Sequence, residues 1–444
     1  MRSIPRLLWA AAALAPLTLV SCGGRHSEPV TIVFSCLNDW QRPSRLGPDL
    51  IDEFTRKTGI IVKTLPYSEE LAERRAQHLT WLRQHSATPD VYESDIVDLP
   101  GLADQMIDLA PFVGTDAKNY MPSVLDNLTF DGKLIAIPIN TDVGLLFYRT
   151  DLLRKYEYAS PPRTWQELEQ MAVAIQKGER AGGNPGFWGF IWEGADWEGL
   201  TYTALEWQSS WGGGHIIEPD GTISVNNPWT IAALQRAKGW VNFISPPGVV
   251  AYRMVDVMNM WQSGRAAFMR NWPFMFFASN APESQVGGKI DATYLPSGGA
   301  GHSGTLGGWQ LSVSRYSAHP TEAAQFAMYL TSRDAQTRCA RELHWMSARQ
   351  DVYLDPDVQR ANPHYRRLID DFSRIAVARP SAVTKVAYTA ASEAYAHAVH
   401  AVLTGEKQAP DAMAELEKTL TQSTGCKTSS ARPEHPIPIE ATLR

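Results

Sequence analysis

The chain is poor in cysteine, lacks blocks of like charge and has no long apolar run in its body. Its 444 residues include only 4 cysteines, which excludes a small disulfide-stapled scaffold. Its 41 basic and 47 acidic residues are interspersed and give a net charge of −6, so the clustered Lys and Arg of a nucleic-acid-binding surface are missing. No stretch after the N-terminal 21 residues reaches the roughly 18 apolar residues of a transmembrane helix.

Several catalytic and cofactor motifs are also missing. The sequence contains neither the GxxxxGK[ST] phosphate loop nor the GxSxG nucleophile elbow. Residues 299–304 match GxGxxG, but the strand-like GWQLSVS follows where a dinucleotide site needs a helix. His397 and His400 lie three apart on one helix face without an HExxH motif or cysteine cluster. We therefore expect no cofactor and no metal.

Aromatic residues are abundant. The chain has 15 Trp, 15 Tyr and 14 Phe. Its length of 444 residues predicts two or three folded units. Trp165, Trp207 and Trp240 fall at helical spacing among apolar neighbours and are expected in the core. Trp272 and Trp309 lie in segments interrupted by Gly, Pro or Asn at strand ends, where a ring can face a cleft. These two are the candidate ligand-binding aromatics.

The N-terminus has the pattern of an export signal. Two arginines precede an apolar run over residues 7–20 that ends in LVSCG, which looks like a bacterial lipobox. We expect residues 1–21 to be a signal peptide and 22–29 to be a tether lipidated at Cys22; the alternative is an ordinary secretory signal. At most one intramolecular disulfide is then available to the remaining cysteines, Cys36, Cys339 and Cys426.

The body alternates strand-like and helical segments, which predicts an α/β fold with a parallel sheet. VTIVFSC, IIVKTLPY and DVYESDI read as strands, with helices between them, the first ending at Gly59. The pair Thr164 and Glu167 predicts a capped helix start. The pattern further predicts a helix over residues 198–211 and one long helix over residues 319–344. The region up to about residue 425 is helical, and 428–444 reads as a disordered tail.

Two carboxylate pairs leave a catalytic alternative open. Glu93 with Asp95, or Glu193 with Glu198, could provide the acid and base of a glycosidase. Carboxylates also accept hydrogen bonds from sugar hydroxyls without chemistry, and aromatic faces stack on pyranose rings in enzymes and binding proteins alike. The combination of tryptophan and carboxylate thus indicates a sugar before it indicates hydrolysis.

Six ordered blocks resemble one family, the bacterial extracellular solute-binding proteins of carbohydrate ABC importers, in particular their trehalose/maltose-binding branch. The resemblance covers most of residues 30–425. The blocks are PDVYESDIVDLPGLADQ (89–105), LIAIPINTDVGLLFYRTDLLRKY (134–156), PPRTWQELEQMA (161–172), GFIWEGADWEGLTYTALEWQSSWGGG (189–214), FMRNWPF (268–274) and GGWQLSVS (307–314).

The resemblance implies two α/β lobes that close over a ligand in the cleft between them. The N-terminal lobe would comprise residues 30–141 and 297–347, and the C-terminal lobe 142–296 and 348–427. The implied ligand-binding residues are Asp39 after the first strand, Asp95 in the first lobe, Asn140 and Asp142 at the first crossover, Trp272 in the second lobe, Gly307, Gly308 and Trp309 in the cleft, and Arg379 near the end.

The implied function is that of a lipid-anchored substrate-binding component of an ABC sugar importer. It would bind an α-linked disaccharide such as trehalose or maltose, as a monomer in the periplasm or cell envelope, and deliver it to permease subunits in the inner membrane. No catalysis and no nucleic-acid partner are expected. A secreted glycoside hydrolase is the alternative, and a peptide or polyamine receptor on the same fold is a third possibility.

Lipidation at Cys22 is directly testable. We expect mass spectrometry of the membrane-extracted protein to show an acylated Cys22, and Cys22→Ser to release the protein into the soluble fraction, because the acyl chains would be its only anchor. An unmodified Cys22 in the membrane fraction would contradict the lipobox interpretation.

Overall fold

The computed structural model describes residues 28–37, 40–41, 46–68 and 71–428, apart from the side chains of residues 71, 366, 367 and 370. The predicted signal peptide, Cys22, Asp39 and the tail from residue 429 lie outside the described residues. Among the described residues, no helix has the length and apolar character that a membrane span requires.

The first lobe is built on a mixed sheet. Its strand order is β2-β1-β3-β14-β6, in which β2, β1 and β3 run parallel while β14 is antiparallel to both of its neighbours. The parallel part follows from the strand–helix–strand alternation of the sequence, as predicted. The strands are β1 (Thr31–Cys36), β2 (Ile61–Pro66), β3 (Val91–Asp95), β6 (Ile137–Pro138) and β14 (Trp309–Val313).

The second lobe has its own sheet, with strand order β12-β8-β11-β9. Strand β8 is antiparallel to β11 and β12, whereas β9 is parallel to β11. Strands β8 and β11 are buried along their whole length, as expected for the centre of a sheet covered on both faces. The strands are β8 (Leu145–Arg149), β9 (Trp188–Ile191), β11 (Ala266–Asn271) and β12 (Ile290–Tyr294).

A third sheet lies where the chain passes between the lobes. It has the order β15-β13-β7, formed by β7 (Asp142–Val143), β13 (Gly304–Gly307) and β15 (Ala376–Val377). In the sequence, β7 follows a first-lobe strand and precedes a second-lobe strand, and β13 makes the return passage. Strand β15 lies between Ile375, which is buried in the apolar cluster that contains β1 and one face of β8, and Ala391, which is buried in the cluster that contains the other face of β8. We call β7, β13 and β15 the crossing sheet.

The remaining regular structure is mostly helical. Two short strand pairs complete the sheets: β4 (Thr129–Phe130) with β5 (Lys133–Leu134), and β10 (Thr222–Ile223) with β16 (Lys427–Thr428). The helices are α1 (Leu46–Thr58), α2 (Leu71–Arg83), α3 (Leu99–Leu102), α4 (Ala110–Val113), α5 (Pro122–Asn127), α6 (Thr150–Lys155), α7 (Trp165–Ala181), α8 (Glu198–Ser210), α9 (Pro228–Trp240), α10 (Met254–Gln262), α11 (Met275–Ser279), α12 (Pro320–Leu330), α13 (Arg333–Glu342), α14 (Pro356–Ala361), α15 (Tyr365–Asp370), α16 (Phe372–Ile375), α17 (Ser381–Thr384), α18 (Tyr388–Thr404) and α19 (Ala409–Thr424).

Helix boundaries test the sequence predictions. Thr164 caps α7 by accepting a hydrogen bond from the backbone N–H of Glu167 at 3.1 Å, while the Glu167 carboxylate accepts from Arg163 N, one residue before the predicted partner. The prediction of one helix over 319–344 is wrong. The chain forms α12 and α13 instead, because the Ser332 side chain accepts from Ala335 N and starts a new helix.

The predicted core tryptophans are confirmed. Trp165, Trp207 and Trp240 are 1%, 1% and 2% exposed and pack on one another in the second lobe. Cys36, Cys339 and Cys426 are all free, within the sequence-based limit of at most one disulfide. Burial raises the pKa of both Cys36 and Cys339.

Side chains also join the lobes away from the crossing sheet. Arg75 on α2 of the first lobe donates hydrogen bonds to Lys385 O at 3.0 Å and to Thr389 Oγ1 at 3.1 Å, both in the second lobe. The segment from Arg349 onward touches both lobes. Arg349 pairs with Asp116 of the first lobe, and Asp371 accepts from the Tyr294 hydroxyl of the second lobe at 2.6 Å.

The crossing sheet leaves no room for a side chain at Gly304. A Cβ there would lie 2.5 Å from Gly144 O and 2.6 Å from a methyl of Val143, both on the adjacent strand segment. We expect Gly304→Ala to lower the free energy of unfolding by about 1–3 kcal/mol, the usual cost of overpacking, as measured by urea denaturation.

Gly239→Ala is the matched control, because a Cβ at that exposed position of α9 has no neighbour within 4 Å. It should raise stability by about 0.4–1 kcal/mol by restricting the unfolded chain. Equal stability of Gly304→Ala and wild type would show that the crossing strands separate without cost.

Candidate ligand-binding site between the lobes

The candidate site is centred on the junction between β13 and β14, residues 306–309. Gly307 pairs with Asp142 in the crossing sheet, and Trp309 pairs with Asp95 in the first-lobe sheet. Gly308 has φ +117°, and a Cβ there would lie 2.6 Å from Asn140 O. Only glycine allows the backbone to turn here so close to the preceding crossover.

Asn140 and Asp142 line this junction. The Asn140 side chain accepts a hydrogen bond from Trp309 N at 2.8 Å and donates to the Asp142 carboxylate at 2.9 Å. Burial raises the pKa of Asp142 to about 7; the Asn140 bond opposes the rise, and the nearby Asp95 charge adds to it. The crossing strand is Asp142–Val143, and the LLFY segment that follows it belongs to the second-lobe sheet.

The two predicted ligand-binding tryptophans approach the junction from different lobes. Trp272 follows β11 of the second lobe, is 8% exposed, and would touch any side chain at Gly307, since a Cβ there would lie 2.9 Å from its ring. Trp309 begins β14 of the first lobe and is partly exposed, with Tyr67 stacked at 6.3 Å. The sequence places these rings 37 residues apart, and the crossing sheet brings their segments together.

Arg379 connects the lobes electrostatically. Its guanidinium pairs with Asp95 of the first lobe at 3.0 Å and with Glu198 of the second lobe at 2.7 Å, and it also donates to Leu306 O. The Arg379 side chain is only 3% exposed. Burial opposes its charge, but Asp95 and Glu198 help to raise its pKa well above the usual value.

Glu198 belongs to this junction, although the sequence analysis did not include it among the ligand-binding residues. It stands in the first turn of α8 and accepts from Arg379, from the Tyr388 hydroxyl at 2.5 Å and from Ser392 at 2.5 Å. Its partners lie more than 180 residues away in the chain. The only signal in the sequence was a carboxylate at a helix start, where the helix dipole favours it.

The candidate catalytic carboxylates are engaged in structural contacts. Glu93 is 1% exposed and accepts from Leu37 N at 2.8 Å and Trp40 Nε1 at 3.0 Å. Glu193 is fully buried and accepts from the Tyr202 hydroxyl at 2.6 Å. Burial raises the pKa of each to about 7.

Of the predicted ligand-binding residues, the structure brings Asp95, Asn140, Asp142, Trp272, Gly307, Gly308, Trp309 and Arg379 to this one junction. Asp39 lies outside the described residues. The two histidines excluded as metal ligands make ordinary contacts, His397 with Asp196 and His400 with Val250 O. The described residues contain no group of three or more His, Cys, Asp or Glu side chains able to hold a metal.

The raised pKa of Asp142 has a consequence for stability. The folded protein holds this proton more tightly than the unfolded chain, whose carboxyl titrates near about 3.9. This favours folding at low pH, and the contribution is lost as the pH rises to about 7. Asp142→Asn keeps an acceptor for Asn140 and removes the titration. We therefore expect the melting temperature of the variant minus that of wild type to increase between pH 5 and pH 8, as measured by calorimetry at several pH values. A difference that does not change with pH would contradict this.

Comparison with known proteins agrees with the fold. Residues 46–337 match the family described as bacterial extracellular solute-binding proteins. A protein of Deinococcus radiodurans named a probable ABC transporter-binding protein is 40% identical over 417 residues, which cover 93% of this chain and 98% of the relative.

Solved structures give the same result. The maltose-bound MalE3 of T. maritima superposes with a TM-score of 0.81 at 31% identity, covering 88% of this chain and 99% of its own. The GacH receptor of Streptomyces glaucescens, solved unliganded and with acarbose, has a TM-score of 0.76 over 89% of this chain and 99% of its own. At 22% identity it shows a shared fold alone. On this evidence the chain belongs to the bacterial extracellular solute-binding protein family.

Proposed function

We propose that this chain is the substrate-binding component of an ABC sugar importer and that it binds an α-linked disaccharide, such as maltose or trehalose, between its lobes. The observation that carries the proposal is that Trp272 and Trp309, one from each lobe, both lie at the β13–β14 junction beside the Asp95–Arg379 ion pair. Two aromatic faces with flanking charged groups match the apolar faces and hydroxyl edges of pyranose rings.

The chemistry of the junction favours binding. Asp95 and Asp142 are hydrogen-bond acceptors for sugar hydroxyls, and Arg379 is a donor. Each charged group is partly or wholly desolvated, and a hydrogen bond to such a group is worth about 1.5–3 kcal/mol. The maltose in the T. maritima MalE3 structure supports an α-linked glucose disaccharide as the ligand class.

Hydrolysis is not proposed, since the relatives are binding proteins and the buried carboxylates have other partners. Glu93 and Glu193 are 1% and 0% exposed, so a sugar in the cleft would not reach them without rearrangement. Glu198 is occupied by Arg379, Tyr388 and Ser392.

The setting proposed for this activity follows from the export signal and the family. The protein would act as a monomer in the periplasm or cell envelope, anchored by a lipid on Cys22, and would deliver the sugar to permease subunits in the inner membrane. The lobe boundaries at 141/142, 296/297 and 347/348 remain predictions, as does Asp39 as a further ligand contact.

Calorimetric titration with maltose, trehalose and maltotriose tests the proposal. We expect wild type to bind at least one of them, and Trp272→Ala to raise its Kd roughly tenfold or more, because losing about 1.4 kcal/mol of stacking changes Kd tenfold.

Trp188→Ala is the matched control. Trp188 pairs with the first residue of β11, at the opposite end from Trp272, and its ring packs on Arg180 at 4.2 Å. Trp188→Ala should leave Kd unchanged.

Failure of every sugar to bind would exclude this ligand class. An equal loss of affinity in both tryptophan variants would place the site elsewhere. Glucose released on overnight incubation, seen by chromatography, would favour the hydrolase instead.

A further inference from the structure

Trp272 is covered on one side by a buried arginine. The guanidinium carbon of Arg270 lies 4.1 Å from the centre of the Trp272 ring and 4.6 Å from that of Tyr202. The two rings meet edge to face at 5.0 Å. A cation held over an aromatic face is attracted by the ring quadrupole, and the attraction grows when both are removed from water. Arg270 therefore fixes the Trp272 ring from the buried side.

Arg270 is itself fixed by Glu206. Two parallel bonds join them, Nη2 to Oε1 at 2.5 Å and Nε to Oε2 at 2.8 Å, and both side chains are 0% exposed. Glu206 also accepts from Thr305 N of β13 at 3.0 Å. A chain of contacts thus runs from the crossing sheet through Glu206 and Arg270 to the face of Trp272.

The first lobe has a related arrangement behind Trp309, in which Arg74 Nε and Nη2 both donate to one oxygen of Asp98, at 3.4 and 3.3 Å. Arg74 on α2 pairs with Asp98 at 3.3 Å, with the two side chains 3% and 0% exposed. Its guanidinium carbon lies 5.0 Å from the Trp309 ring and 5.5 Å from the Tyr67 ring. Each cleft tryptophan therefore has a buried arginine behind it, and each arginine has a buried carboxylate and a neighbouring tyrosine.

A buried ion pair is a weak source of stability, because the cost of desolvating the charges offsets most of their attraction. Two such pairs, each against a cleft tryptophan, call for another role. A planar guanidinium held by two hydrogen bonds has little conformational freedom. An aromatic ring packed on such a guanidinium is already ordered, so the ring loses less conformational entropy when a ligand stacks on its other face.

We propose that Arg270 with Glu206, and Arg74 with Asp98, are positioning residues that hold Trp272 and Trp309 ready for the sugar. This inference rests on the proposed function for its ligand and for its first test, whereas its second test needs no sugar. Neither arginine needs to touch the sugar, since both side chains are buried.

The test replaces the second-lobe pair as a unit. Glu206→Gln/Arg270→Met removes both charges together, keeps an acceptor for Thr305 N and keeps apolar volume beside the rings. Calorimetry with maltose should show Kd at least fivefold above wild type. When Trp272→Ala is already present, adding the paired substitution should change Kd less than twofold, because the pair acts on binding through the Trp272 ring.

A Kd within twofold of wild type would overturn the proposal, and so would a lower one. An equal fold-change with and without the Trp272 ring would also overturn it, because it would indicate a general effect on the lobe.

A second readout needs no sugar. In protein labelled with 5-fluorotryptophan, the ¹⁹F signal of Trp272, assigned by its loss in Trp272→Phe, should shift and broaden in the paired variant. The signal of the core residue Trp165, assigned likewise, should stay in place. Arg270→Lys is a second variant, for use if the paired variant folds poorly. It keeps the charge beside Glu206 but removes the planar guanidinium, and it should shift the Trp272 signal in the same direction.

The two readouts separate the claims. If wild type binds no sugar but the Trp272 signal moves as expected, the proposed function fails and the positioning role holds. If sugar binds and Trp272→Ala weakens it, while the signal stays unmoved in the variants, the positioning role fails and the function stands.

Discussion

The close approach of chain segments at Gly307 and Gly308 is the constraint on which the site depends. The β13–β14 junction passes so near the Asn140 carbonyl and the Trp272 ring that neither glycine has space for a side chain. Hydrogen bonds from Trp309 N to Asn140 and from Asn140 to Asp142 then hold the first crossover against the second. A side chain at either glycine would separate the two lobes' tryptophans and disturb the acceptors between them.

Around this junction, charge is buried in paired form. Arg379 is neutralised from both lobes, and the arginines behind the tryptophans each have one carboxylate. The unpaired carboxylates Glu93, Asp142 and Glu193 instead have pKa values raised to about 7 by burial. Burial thus gives three acidic groups of this protein pKa values near neutral pH.

Local features were predictable from sequence because their causes are local. Thr164 starts α7, and the helical spacing of Trp165, Trp207 and Trp240 places them in the core. The break between α12 and α13 was missed because one serine hydroxyl competes with an otherwise uninterrupted helical pattern. For the site, the resemblance supplied the residue types, but the partners of Glu198 and the burial of Arg270 depend on contacts between distant segments, which no periodicity reports.

The bond between Arg75 and the second lobe affects how the protein responds to any ligand. Opening the lobes there would require breaking its hydrogen bonds to Lys385 O and Thr389 Oγ1, and a hydrogen bond that involves a charged group has a net worth of about 1.5–3 kcal/mol. Such contacts favour the lobe arrangement seen in this structure before ligand arrives, and the apparent affinity of a ligand that binds this arrangement is scaled by its population. A substitution at Arg75 can therefore change apparent affinity while every residue of the candidate site stays the same.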